Sequence, residues 1–205
     1  VYKRQPHMMS VEGVYGAEWY NNTPVLTNRA AEHNATLPFT RNVVGPMDYT
    51  PGTFSDSQHP HITSYGHELA LPIIFESALQ HMPDRPSVYY DMPEPVKKLL
   101  SDLPVAWDDT KLLAGYPGME VVMARRKGDV WYIAGINGTN KPRTLCFLLK
   151  DLSVVGKKIT LFEDGIYDRS FTIAEDLPLS EDEMSVEIKC LPRGGFVACL
   201  LYTSP

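Results

Sequence analysis

Cysteine is scarce: Cys146, Cys190 and Cys199 are the only three in 205 residues. Their odd number and lack of paired short spacing argue against both a disulfide framework and a thiolate zinc site, and buried thiols are the expectation. Long apolar runs are missing too. None approaches the roughly 20 residues a spanning helix needs, and the first residues carry no apolar core of a signal peptide. Positive charge is in the minority, with 19 Lys and Arg against 25 Asp and Glu, a formal net charge of −6 and a pI near 5.5. That balance gives no broad attraction for phosphate backbones or anionic lipid, so nucleic acid and membrane surfaces are not the expected partners. No internal repeat or low-complexity tract is present.

What is there falls into two textures. Up to about residue 95, short apolar stretches alternate with loops rich in Pro, Gly, Asn, His and aromatics. Within this half, "TSYGHELALPIIFESALQHM" spaces Leu69 and Ile73, and beside them Leu71, Phe75, Leu79 and Met82, at three- and four-residue intervals. The spacing predicts a helix capped by Thr63 or Ser64 and kinked at Pro72, with Glu68 and Glu76 marking its outer face. "PDRPSVYYDMPEPVKK" reads as a linker. Beyond it "MEVVMARRKGDVWYIAGI" has two β-rich runs around Lys127, Gly128 and Asp129, which predicts a hairpin. "TLCFLL", "ITLFED", "SFTI", "MSVEIK" and "GGFVACL" follow at short spacing. An antiparallel β-sandwich over residues 102–201 is expected, with one of Trp131 and Tyr132 in its core.

The chain opens on "VYKRQ", with no initiator methionine, and closes on "LLYTSP". Both ends resemble translated sequencing-adapter read-through, so residues 1–5 and 202–205 are set aside and the chain is expected to be a piece of a longer protein.

The candidate chemistry begins in "SVEGVYGAEW". A short apolar run from Met8 to Val11 ends at Glu12, and a carboxylate where a buried strand emerges is where barrel enzymes place working residues. Glu18 follows after one glycine-containing loop, against Trp19 and Tyr20. An acid beside aromatic surface is poorly solvated, which favours its protonated form and suits a general acid, whereas a metal-held acid stays ionised. Two glutamates in such a loop are also compatible with plain solvated or salt-bridged side chains.

Four longer stretches decide the family: "SVEGVYGAEW", "EHNATLPFTRNVVGPMDYTPG", "HELALPIIFES" and "WDDTKLLAGYPGMEVVMARRKGDVWYIAGING". In that order they resemble the C-terminal part of glycoside hydrolase family 97, calcium-dependent α-glucosidases and α-galactosidases of Bacteroidetes. The resemblance implies the terminal portion of a catalytic (β/α)8 barrel over residues 6–95, followed by the C-terminal β-domain over 102–201. It matches Glu12 to the calcium-ligating glutamate of an E-x-x-x-G-x-E motif and Glu18 to the general acid, itself close to the metal. Calcium takes 6 to 8 oxygens, so the other ligands are expected in upstream sequence, as is the second catalytic carboxylate. The implied partner is an oligosaccharide or glycoside, and the implied location periplasmic or secreted.

Other residues carry two readings. Asp48 and Tyr49, near the end of the last expected barrel strand, face sugar hydroxyls or else cap a turn and pack. His33, with Glu32 and Asn34 in an expected polar loop, contacts sugar or anchors the loop. His59 and His61 lack partner ligands and read as loop surface. Trp107 and Asp108 read as docking the β-domain. The competing function is a non-catalytic carbohydrate-binding or structural β-module.

Overall fold

A computed structural model describes residues 9–20, 22–56, 59–150, 152, 158–178 and 185–201. The end strings, Met8 and Asn21 lie outside them. Among the described residues the second half holds eight strands: β1 (Asp109–Tyr116), β2 (Glu120–Lys127), β3 (Val130–Asn137), β4 (Arg143–Leu148), β5 (Lys158–Asp164), β6 (Phe171–Pro178), β7 (Ser185–Cys190) and β8 (Gly195–Leu201). A six-stranded sheet runs β1-β2-β3-β8-β5-β6, a two-stranded sheet pairs β4 with β7, and every pairing is antiparallel. The β2–β3 hairpin turns at Gly128 and Asp129, with Lys127 paired to Val130 and Gly128 at φ +55, a conformation that favours glycine. β1, bulged between Leu112 and Ala114, is a strand the sequence reading did not assign.

Burial explains the sheet order. β4 and β7 alternate buried with exposed positions, whereas β2 and β3 are buried on both faces. One face of the large sheet meets β4 and β7 through Val122, Trp131, Ile133, Phe147 and Phe196. The opposite face carries Val121, Tyr132, Ala134, Ile136 and Val197 into a core shared with the first half of the chain. Trp131 and Tyr132 are therefore both buried, on opposite faces, where a sheet covered on one side has room for only one. Trp107 packs edge-on to Tyr132 at 5.4 Å, as its docking role requires. Cys190 and Cys199 are buried, but Cys146 is exposed because it falls on the outer face of the edge strand β4.

The first half contributes helices α1 (Ala17–Tyr20), α2 (Pro24–Thr27), α3 (Ala30–Thr36), α4 (Tyr65–Ile74), α5 (Pro86–Tyr90) and α6 (Glu94–Asp102). Two corrections follow. The expected linker is mostly α5 and α6, each with proline in its first turn, where a missing N–H costs nothing. The expected long helix stops at Phe75, which turns extended, and Gln80 Nε2 donates to the Pro72 carbonyl, one of the last carbonyls of the helix, at 2.7 Å.

α4 is buried on every side rather than on one stripe. Ser64 is its N-cap, accepting from His67 N at 3.0 Å. It lies against β8 at backbone contact: a Cβ on Gly66 would come within 2.3 Å of the Gly195 carbonyl oxygen. At its C-terminus, Arg125 of β2 donates from Nε to the Ile73 carbonyl at 2.6 Å and from Nη2 to the Ile74 carbonyl at 3.0 Å. Its third donor, Nη1, reaches Thr110 Oγ1 at 2.9 Å. Burial lowers the Arg125 pKa to about 10, so the cation persists at neutral pH at the negative end of the helix dipole.

Glu68, expected on the outer face, is 3% exposed. Its carboxyl accepts from Thr63 Oγ1 at 2.5 Å and Thr53 N at 3.2 Å. Burial raises its pKa from 4.5 to about 7, with the Asp84 charge adding to the rise and Arg169 opposing it. The folded chain therefore keeps a proton that the unfolded chain releases, and this contribution to stability is lost as pH rises from about 4.5 to about 7. Buried His67, held near 3, acts oppositely and costs stability as pH falls from about 6.5. Comparing Glu68→Gln with wild type isolates the first effect. The variant is expected to gain on wild type by up to about 1.4 kcal/mol per pH unit across that window. Urea unfolding at pH 4.5 and 7.5 measures it, and a stability difference independent of pH would contradict the assignment.

Candidate active site

The strand expected at Met8 to Val11 is represented among the described residues by a parallel bridge between Val11 and Met47. Asp48 N donates to the Val11 carbonyl at 3.2 Å, continuing that pairing by one step. Arg41, a residue the sequence reading passed over, ties the two segments together. Its Nη2 donates to the carbonyls of Val11 at 2.6 Å and Glu12 at 2.9 Å, and its Nη1 to the Gly45 carbonyl at 3.1 Å. Glu12 thus sits at the end of a backbone held from both sides, with its side chain exposed.

Glu18 lies in the first turn of α1, whose entry is fixed by Ala17 N donating to the Tyr49 carbonyl at 2.9 Å. Its carboxylate accepts from Thr50 Oγ1 at 2.5 Å. It folds over Gly16, where a Cβ would meet Oε2 at 2.3 Å and the Tyr49 carbonyl oxygen at 2.5 Å, so only glycine fits. The aromatic neighbours do not cover it. Glu18 is exposed, Tyr20 turns inward, and Trp19 pairs edge-on with Tyr15 at 5.8 Å, both rings remaining largely in solvent. Within this chain Trp19 and Tyr20 turn away from the Glu18 carboxylate because successive side chains of a short helix diverge. What results is an exposed carboxylate beside an exposed aromatic pair, an arrangement suited to a polyol with an apolar face.

Beneath Glu18 runs a buried polar chain. Tyr49 OH donates to Asn34 Oδ1 and accepts at 2.8 Å from Tyr20 OH, while Asn34 Nδ2 lies 3.0 Å from His67 Nε2. Burial raises the pKa of both tyrosines, so they stay neutral. Tyr49 is 1% exposed and has its hydroxyl engaged, so it packs and offers no face to a sugar. His33 lies in α3 rather than in a loop. Its Nδ1 is 3.0 Å from Tyr20 OH, and burial, followed by the Arg29 charge, lowers its pKa. Asp48 remains at the surface with His81 Nδ1 at 3.0 Å. His61 is buried with Nδ1 2.7 Å from Asp56, not on the loop surface, because Arg169 reaches over to hold its carbonyl. Among the described residues, no three His, Cys, Asp or Glu side chains gather as a metal-binding group. No helix among them is long and apolar enough to cross a membrane.

Residues 106–201 match the family model described as glycosyl-hydrolase 97 C-terminal, oligomerisation. The first half extends the similarity: the chain is 32% identical to the retaining alpha-galactosidase of Bacteroides thetaiotaomicron over 208 aligned residues, 93% of this chain and 30% of that one. Residues 106–201 are a C-terminal domain of glycoside hydrolase family 97. A probable retaining alpha-galactosidase of Streptomyces bingchenggensis is 45% identical over 130 residues, 63% of this chain and 19% of the relative. The solved structure of a beta-arabinopyranosidase superposes with a TM-score of 0.84 at 25% identity, covering 93% of this chain and 31% of that one. The chain with this family 97 domain thus spans less than a third of the length of each of these relatives. Its β-half is the family's C-terminal domain.

Proposed function

We propose that this chain is the C-terminal part of a retaining α-galactosidase in which Glu18 is the general acid. On this reading residues 6–95 close the end of the catalytic (β/α)8 barrel and residues 102–201 are its non-catalytic β-domain. The observation that carries it is the isolated parallel bridge of Val11 with Met47, which sets Glu12 and Asp48 each one residue beyond it, with Glu18 one loop further on. Parallel strands that end in carboxylates are how a barrel builds its catalytic face. The names of the two curated relatives support an α-galactoside substrate and retention.

Glycoside hydrolysis needs two carboxyl groups, about 5 Å apart for retention. Glu18 donates its proton to the glycosidic oxygen. The nucleophile is supplied by residues outside this chain. Glu12 offers the hard oxygen donors calcium prefers, and Glu18 lies close enough in sequence to share the ion, but two carboxylates fill only part of a shell of 6 to 8 oxygens. Bound there, calcium would polarise an oxygen of the substrate and fix its orientation. Asp48, still at the surface with its His81 partner, is the sugar-binding candidate the geometry favours over Tyr49 and His33.

The test compares the full-length protein containing this chain with the 205-residue polypeptide alone. The full-length protein is expected to hydrolyse aryl α-galactosides in a calcium-dependent manner, and the polypeptide to show no turnover above a Glu18→Gln control. Turnover by the polypeptide alone would contradict the division of the site. Absence of any α-glycosidase activity in the full-length protein would leave a non-catalytic module as the better account.

A further inference from the structure

We infer that Thr50 is a positioning residue for Glu18, and that together with Gly16 it forms a seat holding the carboxyl group in place. The inference rests on Glu18 acting as the general acid. Thr50 has φ +59. A β-branched residue in the left-handed region is a genuine outlier, and such strain persists only where the surroundings impose it. What the strain achieves is visible at the side chain. The hydroxyl lies 2.5 Å from Glu18 Oε2 and 2.5 Å from the Tyr49 carbonyl oxygen. The backbone around it is fixed independently: Tyr49 is clamped by its buried hydroxyl, and its carbonyl also accepts from Ala17 N, the residue that starts the helix carrying Glu18.

A threonine hydroxyl has one hydrogen to donate and lone pairs to accept with. That hydrogen goes to Glu18 Oε2, which ties the carboxyl group to the same Tyr49–Thr50 backbone that fixes the start of its helix. A reacting group needs that constancy of position, since small misplacements are expensive. Gly16 supplies the space, because any larger residue would meet both carboxylate oxygens and the Tyr49 carbonyl.

The experiment uses the full-length protein and four variants: Glu18→Gln, Thr50→Val, Thr50→Ser and Thr50→Gly. Thr50→Val keeps the shape and loses the hydroxyl. It is expected to lower kcat on α-galactosides with poor leaving groups about ten-fold or more, with KM little changed. Thr50→Ser restores the hydroxyl and is expected to recover most of that loss. Thr50→Gly relieves the strained φ, so its Tm is expected not to fall while its kcat drops as in Thr50→Val. A residue with a merely structural role would show the reverse, with kcat following Tm. If Glu18→Gln slows these substrates but Thr50→Val does not, the seat is overturned and the acid assignment stands. If Glu18→Gln itself has no effect, both fall.

Discussion

Replacing Arg125 with leucine is expected to lower the unfolding free energy of the chain by about 3 kcal/mol. Two opposing effects decide the size. Leucine removes the cost of burying a guanidinium, a replacement that is often neutral when both partners of an ion pair are exchanged for apolar groups. Here the partners are the backbone carbonyls of Ile73 and Ile74, which no side-chain substitution removes. Each is left buried at a helix C-terminus without a donor, at roughly 1 to 3 kcal/mol apiece, and that loss exceeds the gain. Lysine at the same position keeps the charge but lacks the planar fork that serves two carbonyls at once, so Arg125→Lys should fall between. Since α4 fills the face of the sheet opposite β4 and β7, the loss should appear as one cooperative transition shifted to lower urea concentration, not as a separate early unfolding of the first half. A change below 0.5 kcal/mol, or two resolved transitions, would show that Arg125 does not hold the halves together.

The second large effect belongs to the two glutamates, and it differs in kind between them. In the full-length protein Glu18→Gln is expected to slow hydrolysis of substrates with poor leaving groups by about 10²-fold or more, since proton donation by a positioned acid contributes that much. Added calcium should not restore the rate. On the proposed reading Glu12→Gln removes one charged oxygen ligand from a multi-oxygen site, which weakens metal binding without abolishing it. It should therefore slow substrates with good and poor leaving groups alike and recover partly in excess calcium. Calcium titrations of activity for both variants check this. Recovery of Glu18→Gln by calcium would make Glu18 principally a metal ligand.

Local chemistry was legible in the sequence wherever one stretch determined its own structure. The turn at Lys127, Gly128 and Asp129, a helix cap at one of the two candidates, Ser64, and the strands β4 and β7 came out as the residues suggested. The misreadings have a common physical origin, which is contact between segments far apart in the chain. Glu68 looked like an outward-facing acid because its own helix says nothing of Thr53 or the sheet that encloses it. Prolines that read as linker punctuation at Pro86 and Pro95 were first-turn residues of α5 and α6, a distinction that depends on what the following turn packs against. Within the site, the apolar run ending in Glu12 and the glycine before Glu18 were visible, and the family resemblance gave them roles. Asn34, Tyr49 and His67 were not recognised as one buried chain, because their hydrogen bonds join residues more than a dozen positions apart. Thr50 carried no signal at all: nothing in "MDYTPG" announces a left-handed threonine.

The measurement that bears most directly on the role of Glu18 is the dependence of kcat/KM on leaving-group acidity, taken over a series of substituted aryl α-galactosides with wild-type and Glu18→Gln full-length protein. On the proposed reading, protonation of the glycosidic oxygen by Glu18 makes the wild-type rates nearly independent of the phenol. The variant must then show rates that fall steeply as the phenol becomes less acidic, meeting wild type only at the most acidic phenols. Parallel lines for the two proteins, offset by a constant factor, would contradict the account and remove Glu18 from the proton transfer.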